Sequence, residues 1–289
     1  MTSTPTWHGS RNGIASPPSS RDVRFLAVST LLFAVSIAIT IVSCASMTRM
    51  GEMPMAGGWT MSMVWTRMPQ QTWVGAAASF LGMWIVMMVA MMLPSLVPTL
   101  WRYRHVVGIA GKKHIDRLTA MIGAGYFCIW IIAGMIVFAL GIAVTSCEME
   151  WPALGRIVPI AASVTVVIAG LLQFTEWKAR CLGCCRGTHG RDLTLTNDAG
   201  TAWRDGMRLG LDCASCCANL MAILLVIGIM DLRAMVAVTT AITVERLAAN
   251  LRLQTSRHAA QAREIAAQAI GAVIVAAGAL LLARATTLI

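Results

Sequence analysis

Blocks of about twenty apolar residues recur along this chain, and that recurrence limits its fold more than any motif does. They lie at 25–46, 72–100, 118–145, 156–174, 207–230, 232–249 and 265–283. A helix rises about 1.5 Å per residue, so roughly twenty residues match the ~30 Å hydrocarbon core of a bilayer. Inside lipid every backbone polar group must find a partner within its own segment, which makes such blocks helical. Composition agrees: only 12% of residues are charged, against about 25% in soluble domains. The expected fold is therefore all-α, a polytopic helical membrane bundle of about seven transmembrane helices. The first block is too long for the apolar core of a signal peptide and lacks a convincing cleavage site. Residues 1–24, rich in Ser, Pro and Gly, read as a disordered cytoplasmic tail. Residues 25–289 read as the transmembrane domain.

Charge orients the bundle. With the N-terminus inside, segments 1–24, 101–117, 175–208 and 246–264 carry 18 of the 23 Lys and Arg residues. The remaining five, Arg49, Arg67, Arg156, Arg233 and Arg284, fall outside. That asymmetry is a positive-inside bias, so the expectation is N-in, C-out. The net charge of +10 then belongs to the inner membrane face, and no nucleic-acid partner is needed to explain it. The expected partners are a metal ion, the lipid bilayer and a metal-accepting protein.

Six of the nine cysteines form two copies of Cys-x-x-Cys-Cys: Cys181, Cys184, Cys185 and Cys213, Cys216, Cys217. Positions i, i+3 and i+4 share a helix face, so each copy aims three sulfurs one way. Thiolates select Cu(I), Zn(II) or iron–sulfur centres. The other reading is six small apolar side chains packed in a bundle; the repetition favours a metal or redox site. The topology puts both triplets in the Cys-rich inner segment 175–206 and the span that follows it, where thiols stay reduced. Cys181 with Cys213 and Cys217 is the preferred ligand set. Cys184, Cys185 and Cys216 are then transfer or second-site ligands. Cys44 and Cys147 lie at outer span ends, where a disulfide is tolerated.

Methionine is placed unevenly. Met47, Met50, Met53 and Met55 open a Met-rich outer loop, 47–71, that contains seven methionines in all. Thioethers there suit Cu(I) or Ag(I); an interfacial segment anchored by Trp59 and Trp65 is the alternative. In the second block Met87, Met88, Met91 and Met92 recur at helical spacing, as ligands of a soft cation or as bundle core. Pro94 removes a backbone donor beside them and frees the carbonyl of Ala90. Two acids fall in apolar blocks, Asp212 and Glu245. Intramembrane carboxylates are costly and are paired or functional, and Glu245 has Arg246 or Lys178 as candidate partners.

Three stretches carry a resemblance: the Ala-Met-Met-x-Pro-Ser core within 84–95, the Lys178–Cys181–Leu182 stretch, and Gly210-x-x-Cys213-x-x-Cys216-Cys217-x-x-Leu220-Met221. In order, they resemble a bacterial family of uncharacterised, predicted metal-binding integral membrane proteins, some of them labelled copper chaperones. The likeness covers about residues 80–250. It implies importance for Met91, Met92, Pro94, Cys181, Cys213, Cys216 and Cys217, and places Glu245 where the family has Glu followed by a basic residue. This chain departs from the family pattern in reading Cys184-Cys185-Arg186, and in having Ala218 where a Trp usually follows the Cys pair.

These observations point to a multi-pass protein of the bacterial inner (plasma) membrane that binds a soft metal, Cu(I) ahead of Zn(II), and handles, delivers or translocates copper. No phosphate loop, His-Glu-x-x-His motif or nucleophile elbow occurs, so an enzymatic role is disfavoured and a primary pump more so. Two rivals stand beside it: a membrane thiol–disulfide oxidoreductase, and a membrane subunit with a structural zinc site.

Overall fold

The computed structural model describes residues 20–49, 53–54, 60–61, 72–109, 114–187, 198–250 and 257–287. Eight helices are described: α1 (Ser20–Arg49), α2 (Trp73–Ile109), α3 (Ile115–Glu150), α4 (Pro152–Leu172), α5 (Glu176–Gly187), α6 (Ala199–Ile227), α7 (Leu232–Asn250) and α8 (Arg257–Thr287). The other regular structure among these residues is a minimal antiparallel pair, β1 (Met53–Pro54) with β2 (Thr60–Met61), inside the Met-rich loop.

Five helices contain stretches long and apolar enough to cross a membrane: Ser20–Ser46, Trp73–His105, Ile115–Glu150, Ala199–Ile227 and Ala267–Thr286. The apolar part of α4, Ile157–Leu172, is shorter. In α7, Arg233, Glu245 and Arg246 interrupt the apolar run. Thus all seven expected blocks are helical, and five of them have the length and composition of a span.

Two boundaries differ from expectation. The first helix begins at Ser20, not at residue 25. Asp22 lies in its first turn, where an acid complements the helix dipole, and the Arg21 carbonyl accepts from Arg104 at 3.4 Å. The Cys-rich segment 175–206 is not a plain loop either: α5 occupies its first part and α6 starts within it.

The bundle is sewn together by close helix approach. Gly206 and Gly210 on α6 face α3, and a Cβ on Gly206 would collide with the Ile122 carbonyl. At Gly210 it would stand 2.9 Å from the Tyr126 carbonyl. Small residues four apart let two backbones meet where larger side chains would hold them off. On the other face of α3, Gly134 leaves room for Trp84, whose indole N–H donates to the Trp130 carbonyl at 2.9 Å. Helix α4 packs on α8 through Gly170 and Gly278. Apolar side chains such as Leu31, Val42, Ile136 and Leu140 stay exposed on the outside, a surface compatible with lipid contact.

Ion pairs and caps fix the ends. Buried Arg104 pairs with Asp116 at 2.7 Å and reaches Asp22 at 3.9 Å, while its guanidinium stacks over Phe25. Gly228, at φ 129°, ends α6 in a conformation that other residues rarely adopt. Three residues on, Asp231 caps α7, its carboxylate accepting from the backbone N–H of Arg233 and Ala234.

Candidate metal centre

The apolar stripe of α2 turns four thioethers inward: Met87, Met88, Met91 and Met92 are all fully buried. Opposite them α6 presents Cys213, Cys216 and Cys217, also buried. The spacing explains this face, since i, i+3 and i+4 lie above one another on a helix. Cys213 Sγ stands 3.9 Å from Met92 Sδ and 4.0 Å from Cys217 Sγ. Its third neighbour is the Tyr126 hydroxyl of α3, at 2.9 Å. The glycine approach of α6 to α3 brings Tyr126 there, because Gly210 meets the Tyr126 backbone one turn before Cys213.

Beside this sulfur group lies a buried polar network. Lys178 at the start of α5 is 1% exposed, so its charge must be matched inside the protein. Its ammonium pairs with Glu245 at 3.0 Å and donates to the Cys216 carbonyl at 2.7 Å and Asn219 Oδ1 at 3.3 Å. Gln173 donates to the other Glu245 oxygen at 2.5 Å and accepts from Asn219 at 2.9 Å. Asn219 also donates to the Ala169 carbonyl. Glu245 therefore takes Lys178, one of its two candidate partners. Arg246 donates to the Ser95 hydroxyl at 2.9 Å, next to Pro94. Ser95 in turn donates to the Met92 carbonyl at 2.9 Å, supplementing the hydrogen bonding of α2 where Pro94 and Pro98 interrupt it.

The expected ligands are thus distributed as follows. Cys213, Cys217 and Met92 meet; Met87, Met88 and Met91 extend the same buried stripe of α2; Cys216 shares the α6 face and gives its carbonyl to Lys178. Cys181 is half-buried on α5 and packs against the same core. The side chains of Cys184 and Cys185 lie outside the described residues, as do those of Met47 and Met53, and so do Met50 and Met55 altogether. Asp212 is half-buried, its carbonyl accepting from Ser215. Among the described residues no three His, Cys, Asp or Glu side chains gather around one point; the group at Cys213 reaches three donors through a thioether. Cys44, Cys128 and Cys147 form no disulfide, Cys44 being buried and Cys147 exposed.

Sequence reasoning missed Tyr126, Gln173 and Asn219. The chain has only two tyrosines, and one inside an apolar block needs a partner for its hydroxyl. Gln173 and Asn219 carry the same signal, as amides inside otherwise apolar blocks.

A family model described as a copper chaperone, PpoB2, matches residues 81–281. No curated protein and no solved structure matches the chain. The match runs beyond residue 250, where the expected likeness ends, and takes in most of α8, the helix that packs on α4.

Proposed function

The chain belongs to this copper chaperone family, and we propose that it holds Cu(I) as cargo within a membrane bundle, on the sulfurs of Cys213, Cys217 and Met92. The observation that carries this reading is the spacing of the three sulfurs. Metal–thiolate bonds are about 2.3 Å long, so two of them at a trigonal angle separate their sulfurs by about 4 Å. The separations of 3.9 and 4.0 Å around Cys213 match that requirement. A thioether in the set favours Cu(I) over zinc, which takes thiolate, imidazole and carboxylate in closed structural sites.

The surroundings support a charged thiolate. Two thiolates and one Cu(I) carry a net negative charge, and Arg246 supplies a buried cation nearby, the charge of Lys178 being matched by Glu245. The same burial weighs against the oxidoreductase rival. Thiol–disulfide exchange needs an exposed sulfur that a carrier can reach, whereas Cys213 and Cys217 are 0% and 3% exposed.

In this reading the bundle lies in a bacterial inner membrane with α4 and α7 completing seven spans, N-in and C-out. Cys181, Cys184 and Cys185 on α5 pass copper between the buried site and a metal-accepting protein. The thioethers of Met47, Met50, Met53 and Met55 gather copper on the outer side.

Titration of the purified full chain in detergent with Cu(I), against a chromogenic Cu(I) chelator, tests the proposal. The double variant C213S/C217S is expected to lose one bound copper equivalent while keeping its helical content. M92L is expected to weaken binding about tenfold, or ~1.4 kcal/mol. Unchanged stoichiometry and affinity in C213S/C217S would exclude this cluster as the site.

A further inference from the structure

A second group of sulfurs lies at the end of the bundle where α1 stops and α2 starts. Cys44, near the end of α1, is 4% exposed, and its Sγ is 3.9 Å from the Sδ of Met230. Met230 sits in the turn between α6 and α7, which Gly228 and the Asp231 cap hold in place. Met83 and Met87 of α2 and Met235 of α7 line the same small cavity. Five of its nine lining residues carry sulfur. The Thr40 hydroxyl in that lining is committed to the Ser36 carbonyl at 2.8 Å. The cavity measures about 10 Å³, room for one small ion or a single water and not for an organic molecule.

We propose that this pocket is a second soft-cation site, binding Cu(I) or Ag(I) through Cys44 and Met230, with Met83, Met87 and Met235 as further thioether donors. The Cys44–Met230 separation again fits two bonds of about 2.3 Å to one ion. Charge selects the ion. Binding exchanges the Cys44 proton for the cation, and the proton leaves to solvent. A monovalent cation on one thiolate and neutral thioethers is then uncharged overall, whereas a divalent ion would keep a positive charge in the pocket; the carboxylate whose charge reaches Cys44, that of Asp231, stands outside the lining and is held by the backbone N–H groups of Arg233 and Ala234. Met83 and Met92 are nine residues apart on α2, about 13–14 Å along its axis. The buried Met87, Met88 and Met91 lie between them. The pocket thus stands at the far end of the thioether stripe that leads to Cys213. It rests on the copper reading above, but uses none of the sulfurs of Cys213, Cys217 and Met92.

The test is a Cu(I) titration of the full chain in detergent with the pair C44S/M230L, placed both in the natural sequence and in C213S/C217S. Loss of one copper equivalent in both backgrounds is expected, with Zn(II) in tenfold excess failing to displace that equivalent. Identical copper binding by C213S/C217S with and without C44S/M230L overturns the proposal. Displacement by Zn(II) overturns it as well. Should C44S/M230L fail to fold, M230L alone conserves volume and is expected to weaken that equivalent at least tenfold; unchanged affinity counts against the site. A loss caused by C44S/M230L with none caused by C213S/C217S would keep this site and remove the one at Cys213.

Discussion

The Tyr126 hydroxyl meets Cys213 Sγ at 2.9 Å, across the close crossing of α3 with α6 at Gly206 and Gly210. Both residues are completely buried, and the hydroxyl donates to the sulfur. Replacing Tyr126 by Phe keeps the ring, which packs edge-on against Phe127, and removes only the hydroxyl. A loss of about 1 kcal/mol in stability is expected, since interhelical hydrogen bonds in membrane bundles average near 0.6 and neutral bonds near 1. Unfolding of Y126F in detergent, compared with the natural chain, measures it.

The crossing itself predicts a sharper effect. Leu at Gly206 or Gly210 would drive α6 off α3 against backbone atoms that cannot yield. Overpacking costs about 1–3 kcal/mol in a core that can adjust, and more is expected here. The same displacement carries Cys213 away from Tyr126 and Met92, so copper binding should fall together with stability. Gly82 is the control. A Cβ there meets nothing within 4 Å, and Gly82→Ala in mid-helix is expected to gain up to about 1 kcal/mol.

What the sequence displayed, and what it hid, divides along physical lines. Apolar blocks and the i, i+3, i+4 thiols are local periodicities, so the helices and the shared face of Cys213, Cys216 and Cys217 could be read directly. The meeting of Met92 with Cys213 could not, because it joins residues 121 apart and depends on how α2, α3 and α6 cross. Gly206 and Gly210 carried the information about one crossing, but a pair of glycines four apart does not name its partner. The expected set joined Cys181 to Cys213 and Cys217; the thioether that stands 3.9 Å from Cys213 is that of Met92. Asp22 and Arg104 explain why the first helix starts early: an ion pair that forms only in the folded bundle extends it beyond its apolar block.

Orientation is separable from span number by one position. If α4 and α7 both cross, residue 195 faces the cytoplasm; if neither crosses, it faces outward with residue 150. Single reporter cysteines at 55, 110, 150, 195 and 258 are expected to label outside, inside, outside, inside and inside with a membrane-impermeant reagent. External labelling at 195 would remove the cytoplasmic delivery site from the copper reading.

Lys178 and Glu245 have their charges sealed off together. Each is less than a tenth exposed, and they lie 3.0 Å apart. Removing one partner leaves the other charged in a low-dielectric interior, a loss of about 3–5 kcal/mol. Lys178→Met also deprives the Cys216 carbonyl and Asn219 of their donor, while Glu245→Gln removes the charge and preserves most of the shape. Both single variants should be strongly destabilised. The double variant K178M/E245Q should recover part of the loss, since no unpaired charge remains. A double-mutant cycle on unfolding free energies reads the coupling. A coupling near zero would mean that each charge finds another partner, and the network would then not be what holds α5 against α6 and α7. A large coupling would tie α5, and with it Cys181, to α7.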